Sequence, residues 1–174
     1  MTQPRWLDER ESRAWRGYTQ MHRRLDRVLG QRLTRDSGLS AADYEVLVPL
    51  SEAPSEQLRA RDLARSLDWE KSRLSHHLTR MQGRGLVERR ECATDARGAF
   101  IALTPVGRRA IEAAAPQHVE AVRDNFVDLL TAEEIEALAQ VAERVLARLE
   151  QVDAVCFAAE ADEQAVASPQ SSSQ

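Results

Sequence analysis

Between Trp69 and Leu103 the hydrophobic period changes once, and that change limits the fold more than any other feature of the chain. Leu74, Leu78 and Met81 fall in one narrow stripe at about 100° per residue, which predicts an amphipathic helix beginning near Glu70. Gly83-Arg84-Gly85 stops it, because glycine enters the left-handed conformation of a helix end without steric cost. Two strand-like pieces follow, 86–91 and 99–103, joined by a loop rich in turn formers. A helix running directly into a hairpin must bury its stripe against the hairpin's inner side and whatever lies upstream.

Upstream, 60–67 predicts a short helix packing Leu63, Ala64 and Leu67, broken by Asp68-Trp69. Ser40 and Asp43 have the spacing of a capping box, with Asp in place of the usual Glu. They open a helix through Tyr44, Leu47 and Leu50, whose end Pro49 and Pro54 obscure. Before it, Tyr18, Met21, Leu25, Val28, Leu29 and Leu33 recur at helical steps, giving a long first helix over 6–35 that ends near Asp36-Ser37-Gly38.

Downstream, Thr104-Pro105 supplies an N-cap and a helix-compatible proline for a helix reaching Leu130, with a kink expected at Pro116. Thr131 and Glu134 form a further capping box. Behind it Ile135, Leu138, Ala142, Val145, Leu149 and Val152 alternate at steps of three and four, a seam that calls for a partner helix. The tail from Ala158 is acidic, then Ser/Gln-rich, with too little apolar surface to repay its ordering, and is expected to be mobile. The fold class expected is mainly α with a small β-hairpin wing, a winged helix-turn-helix with long helices before and after it.

The 174 residues carry a net charge of −4, unevenly placed. From 55 to 110 there are twelve Lys and Arg against seven Asp and Glu, whereas from 112 to 163 Arg123, Arg144 and Arg148 face many acids. A basic middle and an acidic end suit a chain that meets a polyanion only through its middle. The two cysteines, Cys92 and Cys156, form no C-x-x-C pair, and no apolar run has signal or membrane-spanning length. A soluble, cytoplasmic, reduced protein is expected, with no membrane partner. No G-x-S-x-G, P-loop, H-E-x-x-H or dinucleotide glycine motif is present, so no enzyme and no cofactor is expected.

His76 and His77 sit side by side among arginines. Adjacent helical residues diverge by about 100° and cannot jointly chelate one ion, so no metal is expected there. With Leu74, Leu78 and Met81 inward, His77 lies at the buried edge, where it would meet a backbone or side-chain partner. Ser72, Arg73, Ser75, His76 and Arg80 are left on an exposed face. These are hydrogen-bonding types that reach base edges and phosphates in a major groove. Arg97, with Asp95 in the hairpin loop, suits insertion into a narrow minor groove.

The order and spacing of these features resemble the multiple antibiotic resistance regulator (MarR) family of transcription factors. The resemblance rests on Leu63-Ala64, on Ser72 and Arg80, and on Gly85-Leu86-Val87. It continues through Asp95-x-Arg97-Gly98 and Leu103-Thr104-x-x-Gly107. It implies a homodimer, with 37–103 as the DNA-binding winged domain and 1–36 with 104–157 as the helical dimerisation region. The tail, 158–174, lies outside it. It further implies a sequence-specific regulator, commonly a repressor, on a palindromic double-stranded DNA operator, released by a small ligand that is often phenolic. Base contacts then map to Ser72, Arg73, Ser75 and His76, phosphate contact to Arg80 and the minor groove to Arg97, which Asp95 would hold by a charge-assisted hydrogen bond. The alternative keeps the winged helix but makes it a protein–protein interaction module without sequence-specific DNA binding.

An effector pocket needs apolar walls and a few polar groups, for which Trp15, Tyr18, His22, Tyr44 and His118 are the candidates. Such residues at helical spacing also pack cores and interfaces, and His22 with His118 makes at most half of a metal site. Some family members sense oxidants through a cysteine in the first helix, where this chain has none. Cys92, at the foot of the wing, reads as an ordinary strand-end thiol.

Overall fold

The computed structural model describes residues 4–91 and 99–166, with side chains placed for 4–90 and 99–152. The chain divides into two compact units, Met1–Phe126 and Val127–Gln174.

Helix α1, Glu9–Ser37, starts at a capping box in which Asp8 and Glu11 satisfy each other's backbone amides. It ends at Gly38, whose φ of 73° is left-handed and whose N–H donates to the Thr34 carbonyl. Ser40 and Asp43 cap α2, Ala41–Glu52, reciprocally as their spacing predicts. Helix α2 runs unbroken through Pro49, forgoing one backbone hydrogen bond, and stops before Pro54.

Strand β1, Gln57–Arg59, then leads directly into α3, Ala60–Ser66. Asp68, at φ 52°, turns the chain and Trp69 enters the core ahead of α4, Lys71–Gly83. Strands β2, Val87–Glu91, and β3, Ala99–Leu103, pair antiparallel with Val87 opposite Leu103. The expected two-stranded hairpin is a three-stranded sheet in the order β1-β3-β2, because Gln57 pairs with Ala102 and Arg59 with Phe100. The loop 92–98, with Cys92, Asp95 and Arg97, lies outside the described residues.

Helix α5, Pro105–Asn125, begins at Thr104, whose hydroxyl accepts from Gly107 N–H at 3.0 Å and donates to the Gly85 carbonyl at 2.6 Å. A Cβ on Gly107 would overlap the Leu86 carbonyl oxygen, so glycine there lets α5 start flush against the end of the preceding turn. The helix runs through Pro116 without interruption but stops at Asn125, short of the expected Leu130, because Phe126 leaves helical backbone at φ −144°. The core of this first unit gathers Leu39, Val46, Leu47 and Leu50 with Leu63, Leu78, Met81 and Ile101.

In the second unit a single 3-10 turn, Val127–Leu129, precedes α6, Ala132–Val166. Thr131 and Glu134 cap it reciprocally, at 2.9 and 3.3 Å. The helix continues to Val166, into the segment expected to be mobile from Ala158 onward, and 167–174 lie outside the described residues. Among the described residues no helix is long and apolar enough to cross a membrane.

Candidate nucleic-acid interface

Helix α4 presents two chemically distinct faces. Leu74, His77, Leu78 and Met81 are buried, and Ser72, Arg73, Ser75, His76, Thr79 and Arg80 between them are exposed. The predicted contact residues on this helix therefore share its solvent side, with α3 and the Asp68 turn before it and β2 directly after it.

Three of these residues are held rather than loose. The Arg73 guanidinium stacks over the buried Trp69 ring, 4.0 Å from its centroid. Arg89 of β2 donates from one nitrogen to the Ser75 carbonyl at 3.2 Å and to its hydroxyl at 3.3 Å, tying the wing strand to the middle of α4. Arg80 donates to His77 Nδ1 at 3.0 Å. Sequence reasoning missed Arg89 and the platform role of Trp69; both are tertiary contacts, and only the alternation of β2 hints that Arg89 shares a side with Val87.

Beneath this face lies a buried carboxylate. Asp43 accepts from the Ser40 amide at 2.9 Å and from Arg84 at 2.6 Å, and its other oxygen stands 3.1 Å from His77 Nε2. That last contact is close but poorly aligned for a hydrogen bond. Burial alone would raise the Asp43 carboxyl, but Arg84 and the Ser40 backbone and hydroxyl outweigh it and hold it below its ordinary value. Burial pushes the His77 imidazole down from its ordinary value; Asp43 opposes this, and the charges of Arg80 and Arg84 add to it. Trp69 closes the side of the ring edge-on, with centroids 5.4 Å apart. The expected buried-edge partner of His77 is thus Asp43, which sequence alone marks only as a cap of α2.

The five candidate pocket residues fall in two places. Trp15, Tyr18 and His22 line one face of α1 with centroid spacings of 5.9 and 6.1 Å, and Trp15 is 59% exposed. Tyr44 of α2 and His118 of α5 meet at 4.4 Å. Of the five, only His118 lines the shallow depression between α1 and α5, beside Arg32, Asp36 and Gln117. Burial lowers the His118 imidazole, and burial with the nearby charge of Glu52 raises the Tyr44 phenol. Among the described residues no group of three or more side chains is placed to hold a metal.

Comparison with known proteins agrees with this fold. The model of the MarR family matches residues 37–98. The transcriptional regulator HosA of Escherichia coli is 33% identical over 109 residues, 62% of this chain and 78% of that protein. The crystal structure of AbsC, a MarR family transcriptional regulator from Streptomyces coelicolor, superposes with a TM-score of 0.81 at 38% identity, covering 85% of this chain and 99% of that one. Sco3205, a MarR family transcriptional regulator from the same organism crystallised in complex with DNA, gives 0.80 at 38% identity over 82% of this chain and 90% of that one.

Proposed function

The chain belongs to the MarR family of transcriptional regulators, and we propose that it is a homodimeric repressor which binds a palindromic DNA operator and leaves it when a small molecule binds. The observation that carries this is the exposed polar face of α4, fixed from below by its buried stripe, in a chain 38% identical to a protein crystallised with DNA. Ser72, Arg73, Ser75 and His76 read bases, Arg80 meets a phosphate, and Arg97 with Asp95 serves the minor groove. Residues 37–103 form the DNA-binding part, and 1–36 with 104–157 the dimerisation part, for which the apolar seam of α6 is the main contact. The effector would be a small aromatic or carboxylic compound meeting Trp15, Tyr18, His22, Tyr44 or His118, two clusters that it need not bridge.

The test is selection of bound duplexes from a random pool, followed by salt titration on a selected and a random duplex. A phosphate-neutralising dimer loses affinity steeply with salt, by nearly one power for each phosphate contacted. His76→Ala should erase much of the preference for the selected duplex, while Arg80→Ala weakens both duplexes alike. A salt-independent or undetectable interaction would instead indicate a winged helix that docks on protein.

A further inference from the structure

We propose that His77 is a positioning residue for DNA binding: from beneath the reader face it holds the Arg80 guanidinium in place for a phosphate, and it lets go when it takes up a proton. The proposal deepens the function given above and rests on it.

The geometry fixes the tautomer. A guanidinium nitrogen can only donate, so His77 Nδ1, 3.0 Å from Arg80, must present its lone pair. The single proton of the neutral ring then sits on Nε2, facing the Asp43 carboxylate at 3.1 Å. The ring thus joins a buried anion on α2 to an exposed cation on α4. Asp43 is anchored in turn by the Ser40 amide and by Arg84. Trp69 packs against the ring edge-on, and the His77 side chain is 8% exposed, which leaves it little freedom to rotate. Arg80 lies on the solvent side with four other N–H groups available to a phosphate.

When Nδ1 takes a proton from solvent, its lone pair is used and it becomes a donor. The hydrogen bond from Arg80 is lost, and two cations then face each other at that distance. Asp43, the one anion facing the ring among the described residues, attracts the charged imidazole through Nε2, so the ring stays and Arg80 swings free. The charged groups around His77 are Asp43 from α2, Arg80 from α4 and Arg84 from the turn after it. The Asp43 carboxyl is held below its ordinary value and so stays ionised over the range concerned.

The test compares wild type with Arg80→Ala, an exposed change that leaves the core intact, on one duplex from about pH 8 to about pH 5. Groups common to both proteins cancel, so only the difference between them counts. Near pH 8 the salt slope of wild type should exceed that of the variant by about two, one for each Arg80 of the dimer. The gap should close as the pH falls, wild type converging on the variant. A gap of constant size would overturn the proposal. Nitrogen NMR of the free protein supplies a readout without DNA: at neutral pH His77 should carry its proton on Nε2, and Arg80→Ala should raise its titration midpoint. A proton on Nδ1, or an unmoved midpoint, would also overturn it. If no duplex is bound at any salt, the function proposed above fails, and the NMR result still decides whether His77 and Arg80 are coupled.

Discussion

Asp43 carries more of this structure than its sequence neighbourhood suggests. It is 2% exposed, and with His77 it is one of two buried polar or charged side chains among the described residues. Its role as a cap of α2 is legible in the sequence because Ser40 lies three residues away. Its partnership with Arg84 is not, because the two are 41 positions apart and no local pattern connects them. The same holds on α4: the stripe of Leu74, Leu78 and Met81 shows where His77 points, but not what it meets. Asp43→Asn should cost about 2–4 kcal/mol, since it leaves Arg84 and His77 without their anion while preserving part of the cap.

Both groups also set a pH dependence. The Asp43 carboxyl lies below its unfolded value of 3.8, so its contribution is complete above that value and is lost as the pH falls through the lower folded one. The His77 imidazole lies below 6.5, so the folded state favours the neutral ring and stability declines once the pH drops beneath 6.5. Thermal melts should therefore show a plateau above about pH 7, a shallow decline below 6.5, and a steeper one in strong acid. Asp43→Asn should shrink the last of these, and an unchanged acid limb would contradict the assignment.

At the scale of elements, what sequence reveals depends on how local the signal is. The capping pairs at Ser40, Thr104 and Thr131 each act within three residues, and each lies where its spacing predicts. The capping box at Asp8 was equally local, yet the expected helix ran past it to residue 6, whereas α1 starts at Glu9. Strand β1 had no signal, because three residues hold no period and the strand exists only through its pairing with β3. The end of α5 was misplaced because Phe126 and Leu130 keep the helical spacing after the backbone has left it.

Gly107 marks the tightest join between elements. Gly107→Ala should destabilise the protein by about 3 kcal/mol, because a methyl group must displace the Leu86 carbonyl or the first turn of α5. A urea midpoint lowered without a change of slope would register it; a shift below about 1 kcal/mol would mean that the two elements part easily.

For the whole molecule, α6 carries an apolar seam that the homodimer proposed above would bury. Ile135, Val145 and Leu149 of α6 are all exposed, and their seam was visible because a repeat of three and four needs no tertiary knowledge. Leu149→Glu, which puts charge in that seam, should shift the protein from dimer to monomer in light scattering while leaving the first unit's thermal transition in place. Binding to a two-half-site duplex should fall with it, since the second recognition helix is no longer delivered. A dimer that survives the change would move the interface to other helices.

The pairing of Gln57 with Ala102 bears also on how the chain is born. It closes a loop that contains all of α3 and α4, and the entropy of that closure must be met before the sheet returns anything. Helical turns form within about a microsecond, whereas antiparallel strands so far apart in sequence meet late. During synthesis, α4 can therefore coil as soon as it emerges, but the sheet that braces it waits for β3. The angle at which the helix is presented is thus a property of the finished unit, acquired only once residue 103 has left the ribosome.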